Sequence, residues 1–401
     1  MIASLKKRYL ESNVTQGFVA LYTGKTISNI AISLFGMFLP IFLYKLYGGD
    51  FNFVALYFLV GYLLYGFSIP FGAFFLNHHG FNRSLRLSTF FGASTFVLLY
   101  FVTPANAWYL IPVQILATTI YRLLFWLPYH VDFAEFSDAN KRGSEIGVFE
   151  ATLNIIGVVT PLLAGFIITQ YGFGVLFIIA TMIFLLSLIP YHFIPEIREK
   201  FTWTYRQTVR QLFAKKHRGI TLAFMADGAE EVVGFIVWPI VIYELLKGNI
   251  LQIGIISTIV VGSTIVLQLF VGRHSNERAT QERILRYGSF FASLAWLLKI
   301  FVITALQIFV VDAYHKLTKI MMRIPFAAMT YELVADRGHY IDEHTVLYEM
   351  AINMGRVAMI SIILVMTLFM PLQWTFIFGA IASILLNFLR VRHSKFTPHR
   401  R

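Results

Sequence analysis

The run L-Q-I-F-V-V-D-A-Y-H-K-L-T-K-I-M-M-R-I-P-F-A-A-M-T-Y, residues 306–331, decides how this chain must be read. It is long enough to cross a bilayer as a helix, yet its middle carries Asp312, His315, Lys316, Lys319 and Arg323. At about 100° per residue, Asp312, Lys316, Lys319 and Arg323 fall within roughly a 60° arc, with His315 beside them. Leu317, Ile320, Met321 and Met322 fill the remaining positions with apolar side chains. Charge at membrane depth is expensive and must face water or an opposite charge. The rest of the chain has to supply that partner.

Of the 401 residues, 57% are hydrophobic and only 13% charged, against about a quarter charged in a soluble globular protein. Apolar runs of bilayer length recur at 17–46, 52–76, 84–104, 107–130, 146–170, 173–195, 219–247, 250–271, 284–304, 306–331, 345–369 and 372–390. The reading is an all-α membrane protein of twelve transmembrane helices. There is no cysteine, so disulfides are excluded and the redox compartment is not legible. The N-terminus stays polar too long for a cleaved signal, and the first apolar run is too long for one, so an uncleaved first span is expected.

A net charge of +12 would suit a nucleic-acid binder, but the bases lie in alternate loops. One set holds Lys6 to Arg8, Arg83 and Arg86, Lys141 and Arg142, Arg198 to Arg218, Arg273 to Arg286, Arg337 and the C-terminal bases; the other holds only Lys45 and Lys247. This bias puts both termini in the cytoplasm and the chain in an inner or plasma membrane as a multi-pass protein. Its partner is then the lipid bilayer rather than nucleic acid. Seven bases fall inside spans: Lys25, Arg122, Lys299, Lys316, Lys319, Arg323 and Arg356.

The longest basic loop, 196–218, divides the spans into two sets, 1–195 and 219–401. Phe201, Tyr205, Val209 and Leu212 recur at helical spacing in it, which suits either an amphipathic helix on an anionic leaflet or a solvated linker. The sets repeat at an offset of about 200 residues. Pro40-Ile-Phe-Leu-Tyr44 matches Pro239-Ile-Val-Ile-Tyr243, and Arg83-Ser-Leu-Arg86 matches Arg283-Ile-Leu-Arg286. Pro128 with Glu135 matches Pro325 with Glu332, and Phe149-Glu150-x3-Asn154 matches Tyr348-Glu349-x3-Asn353. Four matches in order on one diagonal point to two pseudo-symmetric six-helix bundles in parallel orientation.

With these features the chain resembles the major facilitator superfamily along its whole length. The turn Ala134-Glu135-Phe-Ser-Asp138-Ala-Asn-Lys-Arg142-Gly143 is similar to the family's acidic-then-Arg-Gly loop, echoed by Glu332-x4-Arg337-Gly338. Asn77-His78-His79-Gly80, with Arg83 following, resembles the Asp-Arg-x-Gly signature in spacing but departs in charge, and Ala73 stands where a Gly is usual. Thr160-Pro161-x2-Ala164-Gly165 and Arg122 resemble fragments of antiporter signatures, though Phe125-Trp126 replaces the Gln-Gly that should follow Arg122. The same fragments suit plain helix packing. The resemblance implies that the first, fourth, seventh and tenth spans line a central cavity, opened alternately by rocking one bundle on the other.

On the seventh span Asp227, Glu230 and Glu231 share an arc of about 100°. Adjacent carboxylates in a poorly solvated place cannot all ionise cheaply, which suits proton coupling; a fixed ion pair with Lys316, Lys319 or Arg323 is the alternative. Asp312 precedes Lys316 by one turn, the favourable order for a helical pair, leaving Lys319 and Arg323 for the seventh-span acids or an anionic ligand. Lys25 and Arg122 complete the candidate cavity. His315 suits a proton relay or a hydrogen-bonded structural role. Asn77, Gly80, Arg83, Glu135, Arg142, Glu150, Glu332, Arg337, Glu349 and Arg356 are candidate gating positions, with snorkelling as the other reading of the last charges. Lys299 is expected to snorkel at the outer surface. His339-x2-Asp342-Glu343-His344 is placed in an exposed loop with no further ligands, and no metal site, cofactor or phosphate-binding loop is expected.

The sequence therefore points to a secondary active transporter, not an enzyme. It is expected to act as a monomer on a small polar solute, anionic or zwitterionic, by proton-coupled alternating access. Drug–proton efflux and a transporter-like scaffold without flux are the alternatives.

Overall fold

In the computed structural model the residues described are 16–136, 142–195, 201–274, 278–335 and 341–389, and among them the regular structure is all helical. The charges at 312–323 leave their run unbroken, within one helix, Ala305–Ala335. In chain order the helices are α1 (Gln16–Phe35), α2 (Phe38–Leu46), α3 (Phe51–His79), α4 (Phe81–Phe101), α5 (Ala107–Phe136), α6 (Arg142–Leu186), α7 (Leu188–Tyr191), α8 (Tyr205–Leu212) and α9 (Arg218–Val232). They continue as α10 (Trp238–Leu245), α11 (Ile250–His274), α12 (Arg278–Lys299), α13 (Ala305–Ala335), α14 (Ile341–Met366) and α15 (Phe376–Leu385).

Breaks fall where the backbone needs them. Within α6, Gly172 adopts φ 82° and ψ 173°, which separates the two apolar runs expected on either side of it. A side chain would be strained there, and glycine is not. Between α9 and α10 the helix widens into a π-turn, Val233–Val237. Pro239, early in α10, lacks an N–H and crowds the carbonyl four residues back; a π-turn relieves both demands and often marks a functional site.

By length and composition, six described segments can cross a bilayer: Gly17–Phe35, Phe51–His79, Phe81–Phe101, Ala107–His130, Thr152–Tyr191 and Glu343–Met366. The run at 306–331 falls short of that measure because of its charges, and the run at 219–247 because the π-turn at Val233–Val237 divides it into shorter helices. Large apolar side chains such as Phe67, Phe71, Phe90, Phe290 and Leu306 are exposed, as lipid-facing positions must be.

In the N-terminal set α1 packs on α6, α4 on α5 and α6, and α3 on α5. In the C-terminal set α9 packs on α14 and α15, α12 on α13 and α15, and α11 on α13. Among the described residues the sets meet most extensively where α3 packs on α14 and α6 on α11, with smaller contacts of α2 with α10 and α5 with α14. The α9–α14 contact is backbone to backbone. A Cβ on Gly228 would fall on the carbonyl of Ile352, and one on Gly355 on that of Met225.

The linker departs from the membrane-surface reading. Phe201 and Leu212 are buried in a core shared with Ile69 and Leu76 of α3 and with Val346 and Met350 of α14. The apolar face of the linker therefore covers helix ends rather than lipid. Thr204 starts α8 with a reciprocal capping box to Gln207, so the polar face is the outer one.

Candidate functional site

The acids of α9 form the hub of a charged cluster, and each has its own base. Arg323 Nη1 of α13 lies 2.5 Å from Asp227, and Lys319 Nζ lies 2.9 Å from Glu230. Glu231, the next residue along, turns to α14, where Arg356 Nη2 donates at 2.7 Å. The sequence offers Arg356 as a gate or a snorkelling charge. It instead sits at mid-helix and belongs to this cluster, because the close α9–α14 packing brings its guanidinium to Glu231.

Burial separates the acids. The side chains of Asp227 and Glu230 are 1% and 0% exposed, whereas that of Glu231 is 37% exposed. Trp296 Nε1 of α12 lies 3.3 Å from Glu230, and its ring meets His315 edge-on at 4.3 Å. His315 Nε2 is 3.7 Å from Glu230, a buried neighbour of the carboxylate. Glu230 is thus enclosed by a base, an indole and an imidazole.

Asp312 does not pair with Lys316. Its Oδ1 accepts from Lys299 Nζ at 3.0 Å and from Trp238 Nε1 at 2.9 Å. Lys299, expected to snorkel outward, is 1% exposed and lies over the Trp238 and Trp296 rings. The cross-helix partner wins because a lysine one turn along the same helix gives a weak, solvent-screened pair, whereas a buried ammonium has to be met. Lys316 has no salt bridge among the described residues.

In the N-terminal set Lys25 lies over the rings of Phe125, Trp126 and Tyr129, at 4.7, 4.3 and 5.2 Å from their centroids. The guanidinium of Arg122 is 5.1 Å from the Tyr62 ring and 5.9 Å from Tyr65. Aromatic faces attract both cations through the ring quadrupole.

At the linker end the sets are joined by polar contacts. Tyr65 donates to Glu349 at 3.2 Å, and His130 faces the same carboxylate at 3.6 Å. Asn77 holds the linker backbone twice, donating to the Phe201 carbonyl at 2.8 Å and accepting from its N–H at 2.9 Å. The neighbouring Thr202 gives its N–H and hydroxyl to Glu343 of α14, at 3.0 and 2.6 Å. Glu343 is buried and lies in a helix, so the exposed-loop expectation for it is corrected. Gly80, at φ 78°, makes the turn between α3 and α4, and Arg83 is exposed. The side chains of Glu135, Arg142, Glu150 and Glu332, and the whole of Arg337, lie outside the described residues. At the opposite end Tyr44 of α2 donates to Glu244 of α10.

Sequence reasoning missed Tyr62, Tyr65, His130 and Trp296, and it gave Glu343 the wrong setting. Only the solitary charge of Lys299 at the end of an apolar run gave a signal of its own. The tyrosines look like any other aromatic residue of a greasy helix.

Long apolar helices in two sets, with acid–base pairs buried among the helices of the second, are the architecture of a membrane transporter. The sequence profile of the Major Facilitator Superfamily matches residues 21–341, and the chain belongs to that family. It is a multi-pass membrane transporter, not an enzyme. An uncharacterized protein of Bacillus subtilis (strain 168), YqgE, is 23% identical over 393 residues, covering 90% of this chain and 84% of its own. The human organic anion transporter MFSD10 (TETRAN) superposes with a TM-score of 0.72 at 12% identity, over 94% of this chain and 100% of its own. A POT family transporter in complex with 5-aminolevulinic acid gives 0.71 at 11% identity, over 92% and 94%. At these identities the likeness to the solved structures is one of fold.

Proposed function

We propose that the chain is a secondary active transporter that moves a small polar solute, anionic or zwitterionic, by proton-coupled alternating access. In this reading twelve spans form two six-helix bundles, 1–195 and 219–401, tied by the cytoplasmic linker 196–218, with both termini inside. One observation carries it: Glu231 is the most accessible acid of the cluster, partly exposed, and its base, Arg356, also touches Tyr62 of the other set, 4.9 Å from the ring centroid. Protonation of Glu231 would free Arg356 and loosen that contact between the bundles. Glu230 and Asp227, enclosed with their own bases, hold the α9–α13 pair together through the cycle.

The first step is a thermal-shift screen of metabolites across pH to find a solute. Flux of that solute into proteoliposomes is then followed with and without a proton gradient. Glu231→Gln is expected to abolish the gradient dependence and to keep exchange down the solute's own gradient. Unchanged proton-driven flux in Glu231→Gln and in the Glu230→Gln, Glu231→Gln double variant would end this mechanism. A protein that neither moves nor is stabilised by any solute would instead be a scaffold.

A further inference from the structure

Charge does not balance inside the helices. Asp227, Glu230, Glu231 and Asp312 each have a base: Arg323, Lys319, Arg356 and Lys299. Glu349 is shared by Tyr65 and His130. Arg122 and Lys316 have no carboxylate within salt-bridge distance among the described residues. A guanidinium stays protonated in any protein setting, and a charge left unmatched in a poorly solvated interior is costly. Arg122 is therefore met by the Tyr62 and Tyr65 rings and by no carboxylate among the described residues.

Its surroundings suit an anion. The Tyr62 ring on α3 carries Arg122 of α5 at 5.1 Å and Arg356 of α14 at 4.9 Å. Sharing one ring keeps the two guanidinium carbons within about 10 Å of each other. They belong to different helix sets. One carboxylate can accept an N–H from each of two guanidinium forks, the geometry for which arginine is suited. Arg122 is partly exposed, as is Glu231 beside Arg356, so the cations border accessible space. Next to Tyr62, Phe58 stacks at 6.2 Å and meets Phe235 of the π-turn edge-on at 5.7 Å, an apolar neighbour to the charged pair.

We propose that Arg122 and Arg356, across the Tyr62 ring, bind the carboxylate of a small organic anion whose apolar part lies toward Phe58 and Phe235. This rests on the transport reading for the anion's role as cargo, and stands apart from it as a binding site. The carboxylate completes Arg122 and competes with Glu231 for Arg356, which ties entry of the anion to the most accessible acid. A neutral acceptor gains a weaker hydrogen bond from Arg122 than a carboxylate does, and a cation is repelled, so the site selects by charge.

The test uses the full-length protein in lipid nanodiscs and follows thermal unfolding with acetate, hexanoate and benzoate, with their amides, with benzylamine and with inorganic phosphate. At least one carboxylate is expected to raise Tm in a saturable way while its amide does not. Arg122→Gln should weaken that response at least tenfold, and Arg122→Lys should restore part of it. Without ligand, Arg122→Gln should unfold at or above the wild-type temperature, since it removes an unmatched charge. The site is overturned if no carboxylate acts, if amides, benzylamine or phosphate act instead, if Arg122→Gln responds like the wild type, or if Arg122→Gln is markedly destabilised. Proton-driven flux of a solute of another class, with no carboxylate response, would remove the site and leave the transport reading. Carboxylate binding lost in Arg122→Gln, in a protein without proton-linked flux, would do the reverse.

Discussion

Lys299 and Asp312 show how much a single buried pair can matter. The ammonium is 1% exposed, bonded to Asp312 and covered by two indoles. Breaking such a pair strands the remaining charge, at about 3–5 kcal/mol, whereas replacing both members with apolar residues is often neutral or better. Lys299→Met is expected to destabilise the purified protein by that order, and Lys299→Met with Asp312→Leu to recover most of it, read from thermal unfolding in one detergent. Equal losses in the single and double variants would mean that the two do not act as a pair. At this scale the sequence told what kind of residue must be met, not which residue meets it. Asp312 is one turn from Lys316, yet its partner comes from α12, because helical spacing carries no information about what a neighbouring helix presents.

At the scale of elements, the linker becomes a strap. Consecutive residues grip different helix sets: Phe201 through Asn77 of α3, and Thr202 through Glu343 of α14. The family signature that Asn77 departs from would place an acid there. A neutral amide can both donate and accept, and here it does both, to one peptide unit's flanking groups. Asn77→Leu leaves the Phe201 backbone unpaired, which costs about 1–3 kcal/mol. Since about 1.4 kcal/mol is a factor of ten and proteolysis follows the open population, trypsin should cut at the exposed Arg206 and Arg210 roughly tenfold faster. Mass spectrometry locates the cuts, and an unchanged rate would mean the strap is held elsewhere. The recurrence of Phe201, Tyr205, Val209 and Leu212 was legible as an apolar face. Its target was not, since periodicity reports that a face is buried and not what buries it.

For the whole molecule, polar bridges join the sets at both ends: Tyr44 with Glu244 at one, and Glu349 with Tyr65 and His130 at the other. In the proposed alternating-access cycle, two rocking bodies cannot keep both throughout. The chain has no native cysteine, so spin labels can be placed without removing any. Labels at Lys45→Cys with Lys247→Cys report one end, and labels at Arg83→Cys with Arg218→Cys the other; all four positions are exposed. As pH falls in nanodiscs, the two distance distributions are expected to shift in opposite directions, and Glu231→Gln is expected to mimic the low-pH pattern. Distributions that stay fixed, or widen together, would contradict rocking driven by that acid.

The sequence by itself determined that this is a helical membrane protein of the major facilitator superfamily and that 306–331 carries a charged face requiring a partner. Hydropathy, helical spacing and an internal repeat are properties of residue order, and the bilayer turns the first two into membrane-spanning helices. Only the tertiary structure decided that Asp312 takes Lys299, that Glu231 takes Arg356, and that Arg122 shares the Tyr62 ring with Arg356. Those choices depend on where backbones can touch, as Gly228 and Gly355 allow α9 and α14 to do. That distance is set by packing between segments more than a hundred residues apart in the chain, and no local spacing encodes it.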